Sequence, residues 1–383
     1  MTNNQGPAGI YIHIPFCRSK CSYCDFYSLP QPEQTMLERY IHCLLKEIKL
    51  RSTQWKDYQF STIYLGGGTP SLLEPFQIEQ ILKAIFHNYV LTTDTEISME
   101  ANPATVNLES LRGFREAGIN RISLGVQSFQ DNELKILGRI HRVSEIKDTL
   151  GALAKSGIKN INLDLIYGIP GQTWKDWLFN LRMAVKYHPQ HISAYLLQLD
   201  PSVPLARRII SGEIPAENED LQYAMYYSTI DYLSGQGYQH YEISNFALTG
   251  YECHHNLIYW QAHEYLGLGV GAVSYQNGQR IINKANLHDY LTRLESDGIC
   301  DTKILETMNE REKMLDALIL GLRMTTGIKP SELEVRFGID FIQEYYAIIK
   351  KLEQDGLLII EPDRIRISRR GYFLSNQVFS RFI

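Results

Sequence analysis

The sequence predicts an α/β fold: parallel strand–helix units of barrel type, then a smaller α+β region and a winged-helix-like end. Three observations predict it. Short apolar strands and amphipathic helices alternate six times between Gly9 and Leu197. Ala117–Gly118–Ile119–Asn120 and Ser156–Gly157–Ile158–Lys159 lie 39 residues apart, and each places a glycine at a helix end just before an apolar strand. Beyond Asp200–Pro201–Ser202–Val203–Pro204, a cluster of chain breakers, the alternation stops. Alternating β and α demands parallel strands joined by right-handed crossovers.

The elements follow in order. Strand Gly9–Ile14 runs straight into Pro15 and a cysteine-rich loop. Helix Glu33–Leu50 carries Leu37, Ile41, Leu44, Leu45 and Ile48 on one stripe. Strand Ser61–Leu65 is broken by three glycines. Then come helix Pro75–Tyr89, strand Glu96–Glu100, helix Leu108–Ala117 and strand Arg121–Val126. Helix Val143–Ser156, strand Asn160–Ile166, helix Trp174–Tyr187 and strand His191–Leu197 complete the series. A helix at Asn218–Ser234 and a strand at Tyr238–Ile243 follow, and residues 250–300, rich in Gly, Tyr and His, read as loops and short strands. Helices Glu310–Met324, Lys329–Phe337 and Ile342–Asp355 precede Leu357–Ile360, a turn at Glu361–Pro362–Asp363, strand Arg364–Ile367 and a last helix. Three helices and a two-stranded ribbon read as a winged helix. The pattern divides the chain at 1–200, 201–305 and 306–383.

The chain has 383 residues, 44% hydrophobic and 21% charged. That mix excludes a disordered chain, a coiled coil and a collagen-like rod. Lys and Arg number 38 against 43 Asp and Glu, a net charge of −5, so no global basic field recruits nucleic acid. Arg364, Arg366, Arg369, Arg370 and Arg381 read as a solvated face, and no nucleic-acid partner is expected. No apolar run approaches the roughly 20 residues that span a bilayer. Met1–Gly9 is polar, without an apolar signal region. The expectation is a cytoplasmic protein.

The six cysteines are Cys17, Cys21, Cys24, Cys43, Cys253 and Cys300. Three form a C-x3-C-x2-C loop directly after the first strand. A disulfide framework would spread pairs along a short secreted chain, whereas a cluster points to metal ligation. Thiolates ligate iron–sulfur clusters, and a four-iron cubane held by three cysteines keeps one iron open for chemistry. The rival is a zinc knuckle, with His13, Asp25 or Cys253 as fourth ligand. Gly66–Gly67–Gly68–Thr69–Pro70 ends the second strand; three glycines let a backbone approach a ligand closely. Glu100, Gln127 and Asp164 lie at or near the ends of later strands, where barrel enzymes place their chemistry, with Arg139 a fourth polar candidate. Acidic residues inside apolar runs are costly to bury without a purpose.

The cysteine loop in this position resembles the radical S-adenosylmethionine (SAM) superfamily. The resemblance implies a partial (β/α)6 TIM-like barrel of radical SAM type, with a [4Fe–4S] cluster on Cys17, Cys21 and Cys24. SAM would chelate the open iron and be cleaved by an electron from the reduced cluster. The SAM set it implies is Tyr11, Tyr23 beside the adenine, Gly67, Gly68 and Thr69 at the methionine end, and Glu100, Gln127, Arg139 and Asp164.

Tyr11–Ile12–His13–Ile14–Pro15–Phe16–Cys17, the GGGTP run, ISLGVQSF and LDLIYGIPGQT narrow the likeness to the oxygen-independent coproporphyrinogen III oxidase-like group. One branch of that group decarboxylates coproporphyrinogen III propionates to vinyls; the other is a heme chaperone. The dehydrogenase branch has a further cysteine two residues after the third ligand, where Phe26 stands here, and an N-terminal extension that is missing here. His255–Asn256–Leu257–Ile258–Tyr259–Trp260 matches HNxxYW, the heme motif of the chaperone branch. An imidazole can ligate heme iron and the two aromatic rings can pack on a flat porphyrin. His255 is the heme candidate, with Cys253 and His254 as adjacent rivals for the iron. The chaperone reading implies heme as cargo, respiratory hemoproteins as acceptors, an electron donor to the cluster and a cluster-dependent homodimer. Its acceptors place it at the membrane periphery at times.

Overall fold

The computed structural model describes residues 7–216, 218–296 and 298–383. The first six residues of the polar N-terminal stretch lie outside them. The parallel strands are β1 (Ala8–Ile14), β2 (Gln59–Gly67), β3 (Val90–Ala101), β4 (Arg121–Gln127), β5 (Asn160–Tyr167) and β6 (His191–Leu196). They pair in that order, each parallel to the next. β4 is buried at every position, as a strand covered on both faces must be. The covering helices are α1 (Gln34–Arg51), α2 (Pro75–Asn88), α3 (Leu108–Ala117), α4 (Val143–Ser156) and α5 (Trp174–Lys186). α3 and α4 stop at Gly118 and Gly157, with φ of +119° and +88°. That left-handed turn, cheap only for glycine, feeds each following strand.

The sheet curls. Cys17, three residues after β1, and Tyr195 of β6 line one cavity. Five strand spacings in a flat sheet would hold β1 and β6 about 24 Å apart. The fold is therefore a partial barrel, as the resemblance implies.

The rest of the chain extends both edges. After helix α6 (Glu219–Gly235), β7 (Gln239–Glu242) and β8 (Asn245–Ala247) add antiparallel strands beside β6. After α7 (His254–Trp260), β9 (Tyr265–Leu268) pairs parallel to β1. β10 (Val273–Gln276), β11 (Gln279–Asn283) and β12 (Thr302–Thr307) continue outward, so among the described residues the sheet has twelve strands. Helix α8 (Leu287–Ser296) stands where loops were expected. Its Leu287, Tyr290, Leu291 and Leu294 are buried at helical spacing; the Gly- and Tyr-rich flanks hid that stripe. β3 also starts earlier than expected. Thr92, Asp94 and Thr95 gave no apolar alternation, yet the register to β2 shifts around them and resumes at Thr62↔Glu96.

The C-terminal part holds α9 (Glu310–Gly321), α10 (Pro330–Phe337), α11 (Tyr346–Gln354) and the antiparallel ribbon β13 (Leu358–Ile360) and β14 (Ile365–Ile367). The helix expected at Ile342–Asp355 is split, with Phe341–Glu344 forming a separate turn before α11. Among the described residues no helix is long and apolar enough to cross a membrane.

Candidate functional site

Cys17 ends a two-residue strand, Phe16–Cys17, paired with Leu29–Pro30. The Leu29 amide donates to the Pro15 carbonyl at 2.7 Å and the Gln31 amide to the Cys17 carbonyl at 2.8 Å. These bonds close the cysteine loop at its base. Ser22, inside the loop, is clasped from both sides. Its amide donates to the Leu137 carbonyl at 3.1 Å, and its carbonyl accepts from the Leu205 amide at 2.8 Å. Cys17, Cys21 and Cys24 are all free thiols and line one cavity of about 370 Å³.

Among the described residues no three His, Cys, Asp or Glu converge on a single ion. Of the zinc rival's three extra ligands, two are engaged elsewhere. His13 Nε2 donates to the Tyr27 carbonyl at 2.8 Å, and the Cys253 thiol lies 3.6 Å from Glu96 Oε1. Asp25 is exposed.

The glycine turn packs against the end of β1. Gly67 has φ +108°, and a Cβ there would lie 2.4 Å from His13 Cε1. A Cβ at Gly68 would lie 2.6 Å from the Phe16 carbonyl oxygen. Only bare backbone fits against β1, and the Gly68 and Thr69 amides donate to the Ile14 and Phe16 carbonyls at 2.8 Å each. The Gly67 amide donates to Glu100 Oε2 at 3.1 Å. Thr69 Oγ1 donates to Cys17 Sγ at 3.6 Å and accepts from Asn102 Nδ2 at 2.9 Å.

The strand ends complete the cavity. Glu100 accepts from the Tyr64 hydroxyl at 3.0 Å. Burial, and then the nearby Asp164 charge, push its carboxyl up to about 7. Asp164 accepts from Ser123 Oγ at 3.0 Å and Asn162 Nδ2 at 2.8 Å, and burial raises its carboxyl as well. Gln127 adopts φ +64°, and its Oε1 is buried without a partner. Arg139 Nη1 donates to Asn102 Oδ1 at 2.9 Å and Nη2 to the Gly125 carbonyl at 3.0 Å, while its Nε has no partner. Tyr23 lies beside Arg139 with its phenol raised by burial.

Tyr11 and His255 stand apart from this cavity. Both rings stack on Tyr64, at centroid distances of 6.3 and 5.1 Å, and only Tyr64 lines the cavity. His255 is 1% exposed. Its Nδ1 lies 2.8 Å from Thr62 Oγ1 and its Nε2 2.9 Å from the Tyr259 hydroxyl. Burial, with the Arg121 charge, pushes it down to about 3. Glu96 fastens the start of α7 by accepting from the amides of His254 and His255 at 3.1 and 3.2 Å.

Sequence reasoning missed Tyr64, Asn102, Ser123 and Tyr195 as cavity residues. Asn102 follows Glu100 by two positions and Tyr64 precedes Gly66 by two, so the period of a strand could have found both.

Comparison with known proteins now decides the family. Residues 11–184 match the sequence model of the Radical SAM superfamily, and residues 308–374 that of the HemN C-terminal domain. The "Heme chaperone HemW" of Lactococcus lactis is 35% identical over 379 residues, covering 99% of this chain and 98% of the relative. This chain belongs to the HemW family of radical SAM proteins. The HemW of Synechocystis sp. is 39% identical over 334 residues, covering 85% of this chain and 80% of that one. The solved structure of coproporphyrinogen III oxidase (HemN) from Escherichia coli superposes on 99% of this chain and 90% of its own, with a TM-score of 0.85 at 24% identity. That likeness shows the fold.

Membership in the superfamily implies a [4Fe–4S] cluster and SAM. The residues fit both. Three thiols face one cavity, the backbone at Gly67 and Gly68 admits no side chain, and the buried Gln127 Oε1 and Arg139 Nε await partners.

Proposed function

We propose that this chain is a heme chaperone of radical SAM type that delivers heme to respiratory hemoproteins. The observation that carries this reading is the whole-length likeness to chains called heme chaperones. Phe26 supports it. It lies 61% exposed at the cavity, where the decarboxylating branch would carry another cysteine.

In this reading Cys17, Cys21 and Cys24 hold the cluster, which when bound supplies an electron to SAM. The chain's own groups bind and orient. The Gly67–Gly68 backbone and Thr69 take the methionine end. Glu100 and Asp164 accept from amino and hydroxyl groups, Arg139 and Gln127 add polar contacts, and Tyr23 shields the adenine. Tyr11 supports this set through Tyr64. Heme is cargo, taken up at the motif helix α7. Of its iron candidates, Cys253 and His255 are buried and His254 is exposed. The division at 1–200, 201–305 and 306–383, an electron donor, a cluster-dependent homodimer and a cytoplasmic protein meeting its acceptors at the membrane complete the reading.

The test is heme retention. Anaerobically reconstituted protein is mixed with hemin, passed through gel filtration and assayed for bound heme. Stoichiometric retention supports the chaperone. No retention, with coproporphyrinogen converted to protoporphyrinogen under reducing conditions, replaces it with the dehydrogenase.

A further inference from the structure

A second cavity, about 430 Å³, opens where α7 meets the winged-helix part. Trp260 and His263 stand on one wall, Leu333 and Arg336 of α10 on another, with Lys329 and Arg364 beside them. That volume is in the range of small-molecule sites.

The geometry of α7 explains why the motif reaches this cavity only in part. His255 and Tyr259 are four residues apart, so they share a face, and that face is turned into the core. Trp260 is one residue further, about 100° around the helix, and faces the junction instead. The Arg323 guanidinium sits 4.4 Å over its ring, and its buried Nε1 has no partner.

His263 follows just past the end of α7, its amide donating to the Ile258 carbonyl at 2.9 Å. Its ring nitrogens have no hydrogen-bond partner among the described residues. Burial, and then the Arg336 charge, push it down to about 4. It is therefore a neutral imidazole at pH 7, the form that ligates a metal. His255 offers neither nitrogen, since both are engaged.

The charges are lopsided. Arg336 is pinned by donating to the carbonyls of Gln261 and Ala262. Arg364 Nη1 donates to the Thr326 carbonyl at 3.2 Å, and its Nε lies 3.6 Å from Asp363. Lys329 pairs with the exposed Glu332 at 2.6 Å. Three cations border a slot of mixed polar and apolar lining, with Glu332 as the carboxylate on its wall, in a chain whose net charge is −5. A flat dicarboxylate ring with a metal at its centre would meet an aromatic ring, an aliphatic side chain, an imidazole and three cations there.

We propose that this junction cavity seats the porphyrin, with Trp260 and Leu333 against the ring, His263 on the iron, and Lys329, Arg336 and Arg364 facing the carboxylates. The proposal rests on the heme reading above and moves the iron ligand away from His255. His255 then sustains the barrel floor.

The test titrates hemin into reconstituted wild type, His263→Ala and His255→Ala, following the Soret band and circular dichroism. His263→Ala shifts the band and weakens binding about tenfold or more, and added imidazole restores the band position. His255→Ala keeps the wild-type band position. Hemin dimethyl ester, lacking the carboxylates, binds wild type about tenfold more weakly. Where the alanine variant loses its fold, His263→Gln carries the same comparison. Wild-type heme binding with band and affinity unchanged in the His263 variants overturns the proposal and leaves the chaperone standing. No binding by wild type brings down the chaperone reading, and this inference with it.

Discussion

Arg139 joins the cysteine loop to the strand ends: its Nη1 lies 3.5 Å from the Cys21 sulfur and 2.9 Å from Asn102 Oδ1. Nη2 reaches the Gly125 carbonyl at the same time. A lysine has no planar fork and cannot serve all three. Arg139→Lys is expected to weaken SAM binding about tenfold, and the buried acceptors it leaves cost about 1–3 kcal/mol of stability. Equilibrium dialysis of SAM and urea denaturation measure the two effects. Iron content should stay at the wild-type level, because all three thiols remain.

Gly67→Ala is the sharper substitution. The new methyl meets His13 at a φ of +108°, which side chains rarely adopt. Backbone strain of this kind costs about 1–3 kcal/mol. The expected result is a lower urea midpoint and loss of SAM retention with the cluster still formed. Unchanged SAM affinity would show that the turn does not approach the ligand.

Glu100 and His255 predict opposite pH effects in the ligand-free protein. The Glu100 carboxyl is raised from 4.5 to about 7, so the folded chain holds a proton that the unfolded chain has lost. Its contribution therefore falls as pH rises from 4.5 through 7. His255 is lowered from 6.5 to about 3, so the unfolded chain takes up the proton first. Its contribution falls as pH drops below 6.5. Denaturation midpoints across pH 4–8 check both. Glu100→Gln should flatten the alkaline side and leave the acid side unchanged.

Thr62→Val removes the partner of His255 Nδ1, a bond of 2.8 Å inside the barrel floor. A buried nitrogen left bare costs about 1–3 kcal/mol. Thr62→Ser, which keeps the hydroxyl, should recover most of it. A loss in Thr62→Ser equal to that in Thr62→Val would show that keeping the hydroxyl does not preserve the site, and the hydrogen bond to His255 would not be the cause.

What the sequence shows and hides follows from distance along the chain. Cys17, Cys21 and Cys24 stand within eight residues, and Gly66–Gly68 are contiguous, so their chemistry is local and legible. Glu100, Gln127 and Asp164 become legible once the strands are counted, because parallel strands bring their ends to one side. The burial of His255 was not legible. It depends on Thr62, Tyr64 and Glu96 meeting α7 from 159 to 193 residues away. The same holds for His263, whose surroundings arise only when α7 docks against α9 and α10. In α8 the signal was present, and composition outweighed a clear four-residue stripe.

Ser22 is held by Leu137 and Leu205. The cysteine loop therefore cannot take its final shape until residue 205, just past the middle of the chain, has emerged. At typical synthesis speeds of about 5–20 residues per second, roughly ten to forty seconds separate the appearance of the cysteines from that of their last backbone anchor. During that interval the three thiols sit on an unfinished loop, exposed to oxidation and stray metals. The loop to which superfamily membership assigns the cluster is thus finished only after β6 and the segment that follows it have been made.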